Sequence, residues 1–253
     1  MYENIKLEID GKTAWLVLSR PPLNIVDLKM MEEMIKAFDE IEESEAVVVV
    51  ISAEGKHFSA GAEIREHFPD MAEKLISTFT ELIRRIIRTD RITIAAVKGY
   101  ALGGGCEIPL ACDMILASAS AKFGQPEIVL GHYPPVAISL LPRMIGLKKA
   151  YELILTGDSI SAKDAEAIGL VNKVFSDEEF DERVKDFVNS LLKKSPIALK
   201  LTKKALKASM GIPVESIMDV VNDIYLSQLI KTEDSVEGLK AFLEKREPRW
   251  KGR

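Results

Sequence analysis

The chain has 253 residues, of which 47% are hydrophobic and 29% charged, and its formal net charge is −5. These values are typical of a globular protein with a sizeable core, and the acidic balance gives no indication of a nucleic-acid partner. No apolar run approaches the roughly 20 residues that span a bilayer, and the N-terminus lacks a basic region followed by an apolar signal core. We therefore expect a cytoplasmic protein with neither a membrane nor a nucleic-acid partner.

The N-terminal part of the chain predicts a hairpin, a helix and a buried strand. Ile5–Ile9 and Thr13–Ser19 alternate around Asp10-Gly11, a pair of turn residues that tolerates positive φ. Apolar residues then recur at helical spacing over residues 28–41. The strand Ala46–Ala53 shows no alternation, as expected when both faces of a parallel sheet are covered. An α/β fold follows from this order of elements.

Two buried strands each lead into a loop of small residues. Residues 54–64 follow the first of these strands. After a helix from about Met71 to Arg88, the second strand, Ile92–Val97, leads into the run Gly103-Gly104-Gly105. Glycine lets a ligand approach backbone N–H groups closely, and a helix start adds positive potential. The repetition favours a site for negative charge over two simple turns.

Familiar nucleotide, metal and serine-nucleophile motifs do not fit these loops. A P-loop needs Lys and Ser or Thr where Gly105-Cys106 stands, and a dinucleotide fingerprint needs glycine at Ile108. The histidines His57, His67 and His132 have no partner at the spacing of a metal site, so we predict no metal. A Gly-x-Ser-x-Gly elbow is absent from the sequence, which leaves a serine triad unsupported.

Two glutamates follow the most unusual loops. Glu107 stands in the predicted first turn of the helix after the glycines, and Glu127 follows the pair Gln125-Pro126. Two carboxyl groups held close to one water can carry out general acid–base chemistry. The alternative for any single glutamate is a capping or solvated role. The position of both residues beside the unusual loops favours the functional interpretation.

The C-terminal part of the chain is predicted to be helical throughout. Helical patterns cover residues 178–194, 196–210, 213–230 and 232–247, and Pro196 and Pro213 suit first-turn positions. The change of composition near Ser195 predicts two domains. These are an α/β core over residues 1–195 and a helical region over residues 196–253.

Three segments together resemble the enoyl-CoA hydratase (crotonase) family. They are residues 58–64 (Phe-Ser-Ala-Gly-Ala-Glu-Ile), 98–107 (Lys-Gly-Tyr-Ala-Leu-Gly-Gly-Gly-Cys-Glu) and 123–131 (Phe-Gly-Gln-Pro-Glu-Ile-Val-Leu-Gly). The resemblance extends across almost the whole chain. It implies a spiral of ββα turns with a C-terminal helical region, assembled as a homotrimer or homohexamer. It also implies an acyl-CoA thioester substrate and no cofactor other than the coenzyme A of that substrate.

The resemblance also implies catalytic roles for four residues. The backbone N–H groups of Ala60 and Gly104 match the oxyanion hole that grips the thioester oxygen. Glu107 and Glu127 match the two hydratase carboxylates. In the family, the residue matching Glu107 helps deprotonate the water that attacks the β carbon, and the residue matching Glu127 protonates the α carbon.

The matches to the family's coenzyme A site are individual residues and not continuous segments. Leu23, Ala62 and Ile64 resemble residues around the adenine and pantetheine. Phe242 and Lys245 resemble C-terminal groups that approach the coenzyme A of a neighbouring subunit. The resemblance thus implies a binding site that a second subunit completes.

Residues 131–142 (Gly-His-Tyr-Pro-Pro-Val-Ala-Ile-Ser-Leu-Leu-Pro) depart from the family's usual pattern. Hydratases commonly have a glycine-rich stretch here that ends in Thr-Gln-Arg-Leu. The bulkier residues, among them His132, Tyr133 and Val136, are expected to reshape the acyl pocket beside Glu127. A Pro-Val-Ala run followed by Leu-Pro is similar to the cyclohexa-1,5-diene-1-carbonyl-CoA hydratases of aromatic degradation.

Three functions stay open at this point. Hydration of an α,β-unsaturated acyl-CoA is favoured because both glutamates are present, whereas many isomerases and hydrolases of the family lack one of them. A double-bond isomerase would use the same oxyanion hole. A non-catalytic acyl-CoA-binding or scaffold protein on the same fold would need neither glutamate.

Overall fold

A computed structural model of the chain describes residues 2–209, 227–228 and 231–253. Two compact units are present. Residues 2–89 and 93–186 form the first unit, and residues 90–92 join the described part of 187–253 in the second. The domain boundary at residue 195 stays a prediction. None of the described helices is long and apolar enough to cross a membrane.

Strands and helices alternate along the first unit, and helices dominate the second. The strands are β1 (Ile5–Asp10), β2 (Thr13–Leu18), β3 (Val48–Ala53), β4 (Ile92–Val97), β5 (Tyr100–Leu102), β6 (Met114–Ser118), β7 (Lys122–Gly124), β8 (Ser159–Ser161) and β9 (Lys173–Phe175). The helices are α1 (Leu28–Glu43), α2 (Ala72–Arg88), α3 (Gly104–Ala111), α4 (Pro135–Met144), α5 (Leu147–Thr156), α6 (Ala162–Ala167), α7 (Phe180–Leu192), α8 (Pro196–Ser209) and α9 (Glu233–Leu243). Two 3-10 helices cover Ile64–His67 and Pro126–Leu130. The predicted helix over residues 213–230 lies outside the described residues.

The larger sheet has six strands in the order β1-β2-β3-β4-β6-β9. The predicted hairpin is confirmed, because β1 pairs antiparallel with β2 and places Ile5 opposite Leu18. The pairs β2–β3, β4–β6 and β6–β9 are parallel. A parallel sheet has helices on its faces, which explains why the predicted buried strands carry apolar residues without alternation.

A smaller sheet consists of three short strands in the order β5-β7-β8. The pair β5–β7 is parallel and β7–β8 is antiparallel. Ser59, in the loop after β3, forms an isolated parallel bridge with Ala101 of β5. Long strands of the first sheet and short strands of the second therefore alternate along the chain, as in β4-β5-α3 and β6-β7-α4. Each repeat is a ββα turn.

The core of the first unit lies between the large sheet and its helices. Residues 48–51 of β3 are fully buried, and every residue of β4 is at most 8% exposed. From α1, the buried side chains include those of Met31, Met34 and Phe38. Each large apolar side chain buried in this way contributes about 1.5–3 kcal/mol relative to exposure. These contacts fix the end of β3, from which the first small-residue loop emerges, and the end of β4, which leads through β5 to the glycine run.

Candidate active site

The glycine run follows β5, begins α3 and is buried. Gly103 is the N-cap of α3 and has a φ of +51°, a conformation that favours glycine. All residues of α3 are buried. A Cβ atom added to Gly103 would lie 2.6 Å from Oε1 of Glu127. The start of this buried helix therefore lies directly against the second glutamate.

The backbone N–H groups of Gly104 and Ala62 lie near each other at this point, and neither donates to a described protein group. Gly104 occupies the first helical position of α3, where an N–H group has no intrahelical acceptor. A Cβ atom added to Gly104 would lie 3.5 Å from the backbone N of Ala62. In the part of the chain that the structure describes, the N–H of Ala62 donates to no protein group. The pair is suited to an oxygen atom that gains negative charge.

The structure corrects the assignment of Ala60 as one of these donors. The N–H of Ala60 already donates to the Leu23 carbonyl oxygen at 2.9 Å. The N–H of Glu63 donates to the Val26 carbonyl oxygen, also at 2.9 Å. Pairing with the segment from Leu23 to Val26 thus uses the N–H groups of Ala60 and Glu63 and leaves that of Ala62. The donor is displaced by two residues from the predicted position.

Glu107 is held at the start of α4. Its side chain is 3% exposed, and its Oε1 accepts a hydrogen bond from the N–H of Ala137 at 2.8 Å. Burial raises the pKa of Glu107 to about 7, although the N–H groups of Ala137 and Val136 act in the opposite direction. The charge of Glu127 adds to the rise in pKa. A carboxyl group with a pKa near neutrality can exchange protons at physiological pH.

Glu127 is the second member of the carboxyl pair. It lies in the 3-10 helix Pro126–Leu130 and is half-buried. Its Oε2 is buried and has no hydrogen-bond partner among the described residues. Burial raises the pKa of Glu127 as well. The structure therefore brings Glu107, Glu127, Gly104 and Ala62 together.

The residues predicted to contact coenzyme A differ in their exposure. Leu23 is 41% exposed and Ile64 is 61% exposed, so both side chains are available to a ligand. Ala62 is half-buried. Lys245 is exposed and has a φ of +53°. The side chain of Phe242 lies outside the part of the chain that the structure describes.

The predicted acyl-pocket residues lie in the segment that follows the second 3-10 helix and in the first turn of α4. Tyr133 is 66% exposed, and the exposed His132 makes an edge contact with His67, with ring centroids 6.0 Å apart. The backbone N–H of His132 donates to the Glu127 carbonyl oxygen at 3.0 Å. Val136 is half-buried in the first turn of α4. His132 therefore contacts the segment that carries Glu127.

Sequence reasoning assigned no role to Gln125 or His57. Gln125 is 1% exposed, and its amide lies beside the Cys106 thiol without a hydrogen bond of normal geometry. His57 accepts a hydrogen bond at Nδ1 from the N–H of Tyr100 at 3.1 Å, and the two rings stack with centroids 4.3 Å apart. His57 thereby joins the loop after β3 to the start of β5. Only the position of Gln125 two residues before Glu127 could have drawn attention to it.

A buried and a half-buried carboxyl group beside two N–H groups that donate to no described protein group are suited to proton transfer to a substrate whose oxygen becomes negative. The chain belongs to the enoyl-CoA hydratase/isomerase family, whose sequence profile matches residues 8–253. Several curated relatives are named enoyl-CoA hydratases. At the level of this family the protein is a hydro-lyase.

Individual relatives match along their whole length. The chain is 36% identical over 248 residues to the cyclohexa-1,5-dienecarbonyl-CoA hydratase of Thauera aromatica, covering 98% of this chain and 96% of that protein. It is 36% identical to the short-chain-enoyl-CoA hydratase of Clostridium acetobutylicum, covering 96% and 95%. The crystal structure of an enoyl-CoA hydratase from Bacillus anthracis superposes with a TM-score of 0.94 at 31% identity, covering 99% and 100%. The crotonase-like fold implied by the resemblance is thereby confirmed.

Proposed function

We propose that the protein adds water across the α,β double bond of an acyl-CoA thioester, with Glu107 and Glu127 moving the protons. The observation that carries the proposal is the carboxyl pair beside the free N–H groups of Ala62 and Gly104. Those N–H groups would hold the thioester oxygen as enolate charge develops. Removing one such donor typically costs about 2.7–4 kcal/mol of transition-state stabilisation.

The proposed proton transfers balance over one turnover. Glu107 accepts a proton from water as the hydroxyl group bonds to the β carbon. Glu127, in its protonated form, donates a proton to the α carbon of the enolate. The proton then passes from Glu107 to Glu127 before the next turnover. The raised pKa values of both groups support this exchange, because a pKa near the working pH suits general acid–base catalysis.

Substitution of each glutamate tests the proposed chemistry. Glu107→Gln and Glu127→Gln are each expected to lower kcat for crotonyl-CoA by about 10²–10⁴-fold, the usual contribution of a general acid or base. The matched control is Glu66→Gln, because burial also raises the pKa of Glu66, whose carboxylate accepts a hydrogen bond from the Leu28 N–H. Near-normal turnover in both active-site variants would contradict the proposal.

Solvent labelling separates hydration from the second candidate, double-bond isomerisation. Both reactions would use the same N–H donors, so the donors do not discriminate between them. In water labelled with oxygen-18, hydration incorporates the label into a stable hydroxyl group of the product. An isomeric enoyl-CoA without the label would favour the isomerase. Binding of acyl-CoA without any turnover would favour the non-catalytic alternative.

We further propose that the preferred acyl group is a cyclic dienoyl group. The departure of residues 131–142 from the family pattern and the similarity to the Thauera relative support this choice. Pro135 belongs to this divergent segment and begins α4, whose first turn contacts Glu107. Crotonyl-CoA and cyclohexa-1,5-diene-1-carbonyl-CoA should be compared side by side. A kcat/KM that favours crotonyl-CoA would exclude the cyclic substrate as the preferred one.

Assembly as a homotrimer or homohexamer is also proposed. Helix α5 exposes Leu147, Tyr151 and Leu155, each at least 57%. Neighbouring large apolar side chains on one exposed helix are typical of an interface. In such an assembly Leu23 and Ile64 would contact coenzyme A from one subunit, and Phe242 and Lys245 from its neighbour. Sedimentation velocity measures the subunit number, and a monomer at micromolar concentration would contradict this arrangement.

A further inference from the structure

The first turn of α4 presents its N–H groups to Glu107. Pro134 is the N-cap residue and Pro135 occupies the first helical position. The first intrahelical hydrogen bond runs from the N–H of Ile138 to the Pro134 carbonyl oxygen at 3.0 Å. Because proline has no N–H, Val136 and Ala137 supply the first two donors of the helix. Neither is needed within α4, and the N–H of Ala137 reaches Oε1 of Glu107 at 2.8 Å.

These donors oppose the effect of burial on Glu107. An ionised carboxylate that is 3% exposed loses most of its hydration, which is costly without compensating hydrogen bonds. The N–H groups of Ala137 and Val136 lower the pKa of Glu107, whereas Glu127, on the neighbouring 3-10 helix, raises it. The neighbouring Cys106 thiol has a raised pKa and is neutral at physiological pH. The start of α4 therefore adds positive potential to that of α3, in whose own first turn Glu107 lies.

We propose that the N-terminus of α4, through the Ala137 N–H, is the positioning element that orients the Glu107 carboxylate and stabilises its charge. The stiff Pro134-Pro135 turn fixes where the helix begins and hence where this N–H points. The inference rests on the proposed function, in which Glu107 must be ionised to accept a proton from water. It gives a structural role to the segment that departs from the usual family pattern.

Replacement of a single backbone atom tests this role. Lactic acid, the α-hydroxy analogue of alanine, is incorporated at position 137, which turns the N–H into an ester oxygen and leaves the methyl group in place. Loss of a hydrogen bond to a charged group is expected to move the acid limb of the kcat/KM profile upward by about 1–2 pH units. Turnover below that limb falls by about tenfold for each unit. Ala137→Gly, which keeps the N–H, is expected to leave the limb within a few tenths of a unit.

A second readout does not depend on turnover. Carbon-13 NMR of the protein with labelled glutamate carboxyl groups follows the titration of Glu107, and Glu107→Gln identifies its signal. The ester variant should move this titration upward by the same amount as the kinetic limb. If the wild-type protein hydrates no enoyl-CoA but the titration moves, the inference stands and the proposed function fails. An unmoved titration in an active ester variant overturns the inference.

Ala137→Pro provides a second way to remove the same N–H. Proline is tolerated in the first turn of a helix because its missing donor has no intrahelical acceptor there. The titration of Glu107 in the Ala137→Pro variant is measured in the same way. An upward shift in this variant supports the inference even when the ester variant does not fold. A titration equal to that of the wild type overturns it.

Discussion

At the scale of the residue, position 103 requires glycine for two reasons. Its φ of +51° favours glycine, and the space where a Cβ atom would lie is filled by Oε1 of Glu127 at 2.6 Å. Gly103→Ala is therefore expected to displace the Glu127 carboxylate and to lower kcat by about 10²-fold, as small misplacements of catalytic groups do. Steady-state kinetics with crotonyl-CoA measures the effect.

Gly11 offers a matched control for this substitution. Its φ of +55° is close to that of Gly103, but a Cβ atom added there would meet nothing within 4 Å. Both alanine variants carry a similar backbone cost, on the order of 1–2 kcal/mol for a left-handed residue. Equal losses of activity in the two variants would show that backbone conformation, and not the displaced carboxylate, explains the effect of Gly103→Ala.

The two glutamates and the N–H donors show which positions of the site could be predicted from the sequence. Glu107, Glu127 and Gly104 stand within recognisable segments, and the structure brings all three together. The resemblance implies Ala60 as a donor, but the sequence contains no information about which N–H groups of the loop are already paired. That pairing depends on hydrogen bonds to Leu23 and Val26, which are distant along the chain. The contacts of Gln125 and His57 are equally nonlocal.

At the scale of the element, the length of a helix or strand decided whether the sequence could predict it. The long helices α1 and α2 and the buried strands β3 and β4 show a periodic or continuous apolar pattern and are confirmed. The strands β5, β7, β8 and β9 have three residues each, too few for a period to show. β5, β7 and β8 form by pairing with one another, and β9 pairs with the edge of the larger sheet. The ββα repeat therefore could not be derived from periodicity.

Helix α9 ends at Leu243, earlier than its pattern predicts, and is followed by a tail that packs on the second unit. Asp234 is 1% exposed and accepts from the Ser195 hydroxyl at 2.7 Å. It also accepts from the N–H of Lys251 at 2.6 Å and that of Gly252 at 3.0 Å. One carboxylate thus joins the start of α8, α9 and the last residues of the chain.

Removal of this carboxylate should release the tail. Asp234→Ala leaves three donors without their acceptor, and we expect a loss of about 1–3 kcal/mol in the free energy of unfolding. Hydrogen exchange should accelerate over residues 249–253, and denaturant unfolding measures the stability. The exposed Asp181, which pairs with Lys98, provides the control Asp181→Ala, with an expected change below about 1 kcal/mol. Unchanged exchange in the tail would refute the role of Asp234.

At the scale of the whole molecule, the active site is expected to lower stability near neutral pH. The pKa of Glu107 is about 7 in the folded protein, against 4.5 for an ordinary glutamate. Between these two values the folded state binds more protons than the unfolded state. The stability contributed by this group is therefore fully present below about pH 4.5 and is lost as the pH rises through 7. The difference in pKa corresponds to about 3 kcal/mol.

Glu107→Gln should therefore make the protein more stable while it lowers turnover. The glutamine is neutral at every pH and its amide oxygen can still accept from the Ala137 N–H. At pH 8 we expect the variant to gain about 3 kcal/mol over the wild type, and the gain should fade toward pH 5. Thermal unfolding at fixed protein concentration measures it, at roughly 2–4 °C for each kcal/mol.

Glu54→Gln distinguishes this effect from a general benefit of removing charge. Hydrogen bonds from Lys6 and Ser19 lower the pKa of Glu54, so its ionised form is favoured in the folded protein. The corresponding glutamine variant should show no gain at pH 8, because the sign of the linkage is reversed. A Glu107→Gln protein that is no more stable than the wild type at pH 8 would mean that the carboxylate is fully compensated by its contacts. The start of α4 would then offset the whole cost of burying it.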